Sequence, residues 1–388
     1  MTSPNVPVVP FVDLSLQHQS LQQDLAAAVQ DTIQRGDFIL GQAVRDFEAA
    51  FANASGASHG VGVACGTDAI ALGLQACGIG TGDEVILPAN TFIATLLGIV
   101  RSGAKPILVD CDPKTALIDL DAAEKAITER TQAIVPVHLY GQVVSPQRLQ
   151  QLATERNLLI FEDAAQAHLA ERDGVRAGSI GTAAAFSFYP SKNLGAIGDG
   201  GMVVTRTETI AQTLRSLRNY GAPRKYYHVD FGTNSRLDTV QAAVLNLKLP
   251  HLEGWNRDRN RAAQKYDALL EPLRSQGIVP IENQSGAGHI YHLYVIRITD
   301  ACPCSSEELQ AALGDRGIQT GVHYPIPCHL QPAFEYLGYS QGDFPNAEML
   351  CQQILSLPMF PGLTDAQIER VVSALTSILA ESPTILSA

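Results

Sequence analysis

Basic side chains are scarce in this sequence. Of its 388 residues, 27 are Lys or Arg and 39 are Asp or Glu, a formal net charge of −12. Binding a nucleic acid means neutralising phosphates with clustered cations, so the deficit excludes a nucleic-acid partner and disfavours an anionic membrane surface. Long apolar runs are missing too. Residues 91–100 are among the most apolar, about half the ~20 residues that a membrane helix needs. The first ten residues carry three prolines and no charged side chain, unlike the basic start and apolar centre of a signal peptide. These absences together indicate a cytoplasmic protein.

Cysteine is present without a pattern. The seven thiols are scattered, and Cys302-Pro303-Cys304 is the one close pair. No second pair stands at zinc-binding spacing, so no metal site is expected and the thiols read as reduced and mostly buried. There is no internal repeat and no low-complexity tract.

What is present is enough for a substantial core. Apolar residues make up 46% and charged residues 17%, which excludes disorder as the main state. The length suits two domains. Short apolar strands are predicted at 61–64, 84–87, 106–109, 133–137, 158–162, 184–188 and 202–205, with helices at 21–33, 69–77, 91–101, 121–127 and 145–156. Alternation of this kind indicates an α/β fold with a mostly parallel central sheet and flanking helices. From residue 237 the pattern changes. Helices at 237–249 and 255–273 precede a strand at 291–298, a helix at 305–315, a strand at 319–323 and two closing helices. The chain divides into a large domain, 1–250, and a smaller C-terminal α+β domain, 251–388.

The chemistry concentrates in three short segments. Asp163 follows the apolar strand 158–161, and in an open α/β sheet ligands sit outside the carboxyl ends of the strands. Lys192 sits in a turn after the strand 184–188, close to the same crevice. A desolvated lysine amine forms Schiff bases. Asp and Lys at neighbouring strand ends are the pair that pyridoxal 5'-phosphate (PLP) needs, one to hold its ring nitrogen protonated and the other to bond its carbonyl carbon. Gly66-Thr67-Asp68-Ala69 lies between a strand and a helix. The backbone N–H groups at a helix start bind phosphate, and Thr67 and Ser187 add hydroxyls. Taken singly, each residue reads as a turn former, a cap or a solvated side chain. Their order and combination carry the argument.

The combination resembles the DegT-type nucleotide-sugar aminotransferases, a branch of the fold-type I PLP enzymes with the aspartate aminotransferase-like fold. The similarity runs through nearly the whole chain. It takes in Pro10-Phe11-Val12-Asp13-Leu14, Phe38-Ile39-Leu40-Gly41, Gly66-Thr67-Asp68-Ala69 and Pro88-Ala89-Asn90-Thr91-Phe92. It continues through Val135-Pro136-Val137-His138-Leu139-Tyr140-Gly141-Gln142, Glu162-Asp163-Ala164-Ala165-Gln166 and Phe186-Ser187-Phe188-Tyr189-Pro190-Ser191-Lys192. Asn234-Ser235-Arg236-Leu237-Asp238 and His323-Tyr324-Pro325-Ile326-Pro327 complete it.

The resemblance implies that Lys192 bonds the cofactor and shuttles the proton, and that Asp163 pairs with the pyridine nitrogen. Gln166 would contact the ring hydroxyl. Gly66, Thr67 and Ser187 would hold the phosphate, and Phe92 would stack on the ring. Asn234 would reach the phosphate of a neighbouring subunit, making the protein a homodimer with shared sites. His323, Tyr324 and His329 match the substrate-side segment, and Arg218, Tyr220 and Tyr226 are candidates for the nucleotide-sugar pocket. The implied activity is ping-pong transfer of an amino group from glutamate, by way of pyridoxamine phosphate, to a dTDP-3-keto-6-deoxyhexose. A product of this kind would serve surface-polysaccharide or antibiotic biosynthesis. A UDP-3-keto sugar acid is the nearest alternative substrate. A family branch with histidine in place of the lysine dehydrates sugars, and this chain keeps Lys192. A non-catalytic regulator on the same fold would be expected to lack Lys192 or Asp163.

Overall fold

The computed structural model describes residues 8–381. Most of the 1–10 stretch read for a secretion signal lies outside the described residues. The chain forms β1 (His59–Val63), β2 (Glu84–Pro88), β3 (Lys105–Val109), β4 (Thr131–Ile134) and β5 (Leu159–Asp163), then a hairpin of β6 (Glu171–Arg172) and β7 (Val175–Arg176). β8 (Ala183–Ser187) and β9 (Gly201–Thr205) follow, then β10 (Ile278–Pro280), β11 (Tyr294–Ile298) and β12 (Ile354–Leu357).

Seven strands form the central sheet in the order β1-β9-β8-β5-β4-β2-β3. β8, β5, β4, β2 and β3 pair in parallel, and β9 runs antiparallel to both of its neighbours. The strands are short and buried on both faces, as a parallel sheet covered by helices demands. β5 is Leu-Ile-Phe-Glu-Asp, with only Leu159 partly exposed. The reversed direction of β9 was not legible in its apolar pattern, because a strand buried on both faces reads alike in either sense.

One close packing contact fixes the helix Gly66–Ala76 on the sheet. A Cβ at Gly73 would come within 2.4 Å of Phe161 Cζ, so only glycine lets the helix sit on the β5 aromatic. That contact places the start of the helix over the carboxyl ends of β5 and β8.

A second, antiparallel sheet, β10-β11-β12, lies in the C-terminal part. It is packed with the helices Leu252–Leu270, Ser306–Asp315 and Asp365–Glu381 around Tyr266, Ile296, Leu313 and Leu375. Val9 belongs to this cluster as well, and its backbone bridges Ile318. The predicted strand at 319–323 does not form. Its backbone meets Val9 on one side and Ser356 on the other through single bridges, Val9–Ile318 and Gly321–Ser356, so no ladder extends. β10 and β12, which sequence reasoning missed, are three and four residues long.

Candidate active site

The carboxyl ends of β1, β2, β4, β5 and β8 open onto one cavity of about 470 Å³. Asp199, just before β9, reaches the same space because β9 runs the other way. Asp163 is buried at its base. The Thr95 hydroxyl donates to Asp163 Oδ2 at 2.7 Å, and the Ala165 N–H donates to Oδ1 at 3.1 Å. Burial pushes the Asp163 carboxyl up, while the Thr95 hydroxyl, the Ala165 N–H and the Lys192 charge pull it back. Thr95 Oγ1 also lies 2.8 Å from Thr91 Oγ1. The single Thr95 proton is committed to Asp163, so Thr91 donates to Thr95.

Lys192 lines the same cavity, in the turn closed by its N–H on the Tyr189 carbonyl at 2.8 Å. Desolvation pulls its ammonium down from the ordinary 10.5 to about 8, against the opposing pull of Asp163. Near neutral pH the amine is therefore unprotonated far more often than that of an ordinary lysine, and the unprotonated amine is the state a nucleophile and base requires.

The cradle between β1 and the helix Gly66–Ala76 also opens here. Cys65 is the extended residue before the helix, and no side chain caps the helix in the usual way. A Cβ on Gly66 would stand 2.8 Å from Ser187 Cβ and 3.2 Å from Ser187 Oγ. Glycine thus brings the helix N-terminus, Thr67 and Ser187 around one point, an arrangement suited to an anion.

Gln166 joins the two halves of the site. Its Oε1 accepts from the Tyr140 N–H at 2.7 Å, and its Nε2 donates to the Tyr324 hydroxyl at 3.0 Å. The Tyr140 hydroxyl in turn donates to the His323 carbonyl at 2.7 Å. Phe92 is 49% exposed and so stands outside the core. Its ring lies 5.0 Å from that of Tyr324, in the cavity wall.

A profile of the DegT/DnrJ/EryC1/StrS aminotransferase family matches residues 19–376. The chain belongs to that family. It is 46% identical over 94% of its length to a "Pleiotropic regulatory protein" of Geobacillus stearothermophilus, covering 96% of that protein. It is 44% identical over 95% of its length to the "dTDP-3-amino-3,4,6-trideoxy-alpha-D-glucose transaminase" of Streptomyces venezuelae, covering 95% of it. It is 42% identical over 96% of its length to the "UDP-N-acetyl-3-dehydro-alpha-D-glucosamine 3-aminotranferase" of Acidithiobacillus ferrooxidans, covering 98% of it. Among solved structures, that of S. venezuelae DesV in complex with a ketimine intermediate superposes with a TM-score of 0.92, at 43% identity, over 96% of this chain and 99% of that one. That of ntda from Bacillus subtilis with bound PMP superposes with a TM-score of 0.88, at 31% identity, over 98% of this chain and 87% of that one.

DegT-family aminotransferases use pyridoxal phosphate. The donor set fits it: a buried carboxylate for a ring nitrogen, a depressed lysine for the reactive carbon and a glycine-floored helix start for a phosphate. The structure brings Gly66, Thr67, Phe92, Asp163, Gln166, Ser187, Lys192, His323 and Tyr324 into this one cavity. Five candidates, Asn234, Tyr220, Tyr226, His329 and Arg218, lie elsewhere in the single chain. Asn234, Tyr220 and Tyr226 are exposed, Tyr226 at 85%. The neighbour of Asn234 is fixed, since Ser235 Oγ donates to Asp68 Oδ2 at 2.6 Å and accepts from the Ala64 N–H at 3.1 Å.

His329 does not face the cavity. It is buried, with Nε2 3.0 Å from Glu348 Oε1 and its ring edge-on to Phe344. Its expected sugar contact is corrected to packing and anchoring. Arg218 is likewise buried, paired with Glu48 and donating to the Gly62 carbonyl at 2.7 Å. It ties the helix Gln42–Ala54 to β1, and its guanidinium is buried away from the cavity.

Sequence reasoning missed Thr91, Thr95, Tyr140, Asn193 and His292. Thr91 and Thr95 are four apart, around the start of the helix Ile93–Ser102, so their shared face was legible. Their partner, Asp163, was not.

Proposed function

We propose that this chain is a PLP-dependent aminotransferase that moves an amino group from glutamate to a nucleotide-linked 3-keto sugar, with dTDP-3-keto-6-deoxyhexose as the first candidate. One observation carries the reading: Lys192, Asp163 and the Gly66 cradle meet in one cavity, in a chain 44% identical to a dTDP-sugar transaminase. The relative named for a UDP-linked amino sugar makes a UDP-3-keto sugar the second candidate. A purely regulatory role has no need of the Lys192–Asp163 pair, and both residues are present.

The bound cofactor supplies an electron sink that makes the α proton of an amino acid removable. The chain does the rest. Asp163 holds the ring nitrogen through its carboxylate, which the Thr91–Thr95 relay keeps oriented. Lys192, its amine pulled down to about 8, takes up the α proton and delivers it again. Gly66, Thr67 and Ser187 bind the phosphate, Gln166 contacts the ring hydroxyl and Phe92 covers the ring face. His323 and Tyr324 sit on the substrate side, with Tyr220 and Tyr226 as nucleotide-sugar contacts.

Exposed Asn234 reaches a second copy's phosphate, and the active unit is a homodimer. The exposed apolar side chains Phe38, Ile39, Ile197 and Phe231 favour such an assembly. The division at residue 250 separates the cofactor-binding part from the C-terminal part. No helix among the described residues is long and apolar enough to cross a membrane, and we assign the reaction to the cytoplasm. The test is incubation of the PLP-loaded protein with ¹⁵N-glutamate and each keto sugar. Equal amounts of ¹⁵N-amino sugar and 2-oxoglutarate are expected. Absence of both products with dTDP and UDP substrates alike would reject the reading.

A further inference from the structure

Asn193, beside Lys192, is buried and uses every polar atom of its side chain. Its Nδ2 donates to the Ile290 carbonyl at 3.1 Å and to Asn256 Oδ1 at 2.9 Å. The carbonyl can only accept, so the assignment of Nδ2 is forced. Asn256 Nδ2 is committed the same way, donating to the His168 carbonyl at 3.0 Å. Asn193 Oδ1 is then left as an acceptor, and it lies 3.1 Å from His292 Nδ1. His292 Nδ1 must therefore carry the proton. If the ring is neutral, Nε2 carries a lone pair.

The backbone that carries the ring is held on both sides: the His292 carbonyl accepts from Arg259 at 3.2 Å, and the Ile290 N–H, two residues earlier, donates to the Gly141 carbonyl at 3.0 Å. His292 lines the cavity, and Nε2 has no hydrogen-bond partner among the described residues. Burial drives its imidazole well below the usual histidine range, and the cationic or protonatable groups around it, Lys192, Arg259, His323 and His168, push the same way. A neutral ring is the consistent state. His323, on the same wall, is pulled down to about 4 by burial and by Lys192.

We infer that His292, locked as the Nδ1–H tautomer by Asn193, presents Nε2 as a hydrogen-bond acceptor for a hydroxyl group of the sugar substrate at the Lys192 end of the cavity. The inference rests on the nucleotide-sugar reading above. An acceptor with no proton of its own recognises a donor, which a sugar hydroxyl supplies and a keto oxygen does not. His292 is thus a binding residue that favours one hydroxyl position, and Asn193 is its positioning residue.

The test uses the PLP-loaded protein and dTDP-6-deoxyglucose, a ligand without the reactive ketone, with binding read by titration calorimetry. His292→Phe should weaken binding about tenfold, the size of one lost buried hydrogen bond, and leave PLP affinity unchanged. His292→Gln, with an acceptor near the Nε2 position, should recover most of the loss. Among singly deoxygenated ligands, one should bind native protein and His292→Phe equally. ¹⁵N-histidine NMR should show His292 neutral and protonated at Nδ1 from pH 6 to 9. Equal affinity of native and His292→Phe for dTDP-6-deoxyglucose would overturn the inference alone. So would an Nε2–H tautomer, or a loss in His292→Phe that falls on PLP instead. Failure of the native protein to bind any dTDP or UDP sugar would overturn the nucleotide-sugar reading, and this inference with it.

Discussion

Thr95 donates its hydroxyl proton to Asp163 Oδ2 at 2.7 Å, across 68 residues of sequence. The bond works against burial, which pushes that carboxyl up. Removing the donor leaves burial less opposed. Asp163 then takes up a proton more readily and holds a protonated ring nitrogen less well. Thr95→Val is therefore expected to weaken PLP binding by roughly tenfold, with a steeper loss at pH 6 than at pH 8. Absorbance titration of the cofactor at both pH values checks this. Equal affinity in the two proteins would show that Asp163 needs no such support.

Lys248 supports the Lys192 turn from behind. It is buried on the helix Thr239–Lys248, hydrogen-bonds the Gly195 carbonyl and lies 3.0 Å from His18 Nε2. Burial pulls its ammonium from 10.5 down to about 8. Between those values the unfolded chain binds the proton more tightly than the folded one, so this residue's contribution to stability rises with pH. The stability of native cofactor-free protein relative to Lys248→Met should increase between pH 7.5 and 9.5. Urea unfolding at fixed protein concentration measures the difference. A difference that is flat or falling would contradict the burial of the charge.

Asn234 is exposed in the single chain, although Ser235 beside it is anchored to Asp68 at the helix start. Asn234→Ala is expected to form dimers that bind PLP several-fold more weakly. Mixed dimers of Asn234→Ala with Lys192→Ala should regain one native site, because each subunit supplies what the other lacks. Native affinity in the pure Asn234→Ala dimer would show that this residue serves no neighbouring site.

Much of the site was legible before the fold. Asp163, Lys192 and Gly66 each follow an apolar strand, and strand ends in a parallel sheet converge on one edge. Periodicity could not supply the partners of those residues. The Thr95–Asp163 bond, the Gln166–Tyr324 link and the Asn193–His292 lock join segments 68, 158 and 99 residues apart, and no local pattern encodes such pairings. His329 misled for the same reason. A histidine near a substrate-side segment reads alike whether it turns to the cavity or, as here, to Glu348 and Phe344. The 319–323 segment has strand composition, but its two single-residue bridges to different neighbours support no ladder.

The most direct test of the central claim is the visible absorbance of the PLP-loaded protein, before and after glutamate is added, with Lys192→Ala as the control. The account predicts a visible band in the native protein that glutamate removes as the cofactor takes the amino group, and no lysine-dependent band in folded Lys192→Ala. A native band that glutamate and every other amino acid leave untouched, or turnover by Lys192→Ala near the native rate, would contradict it.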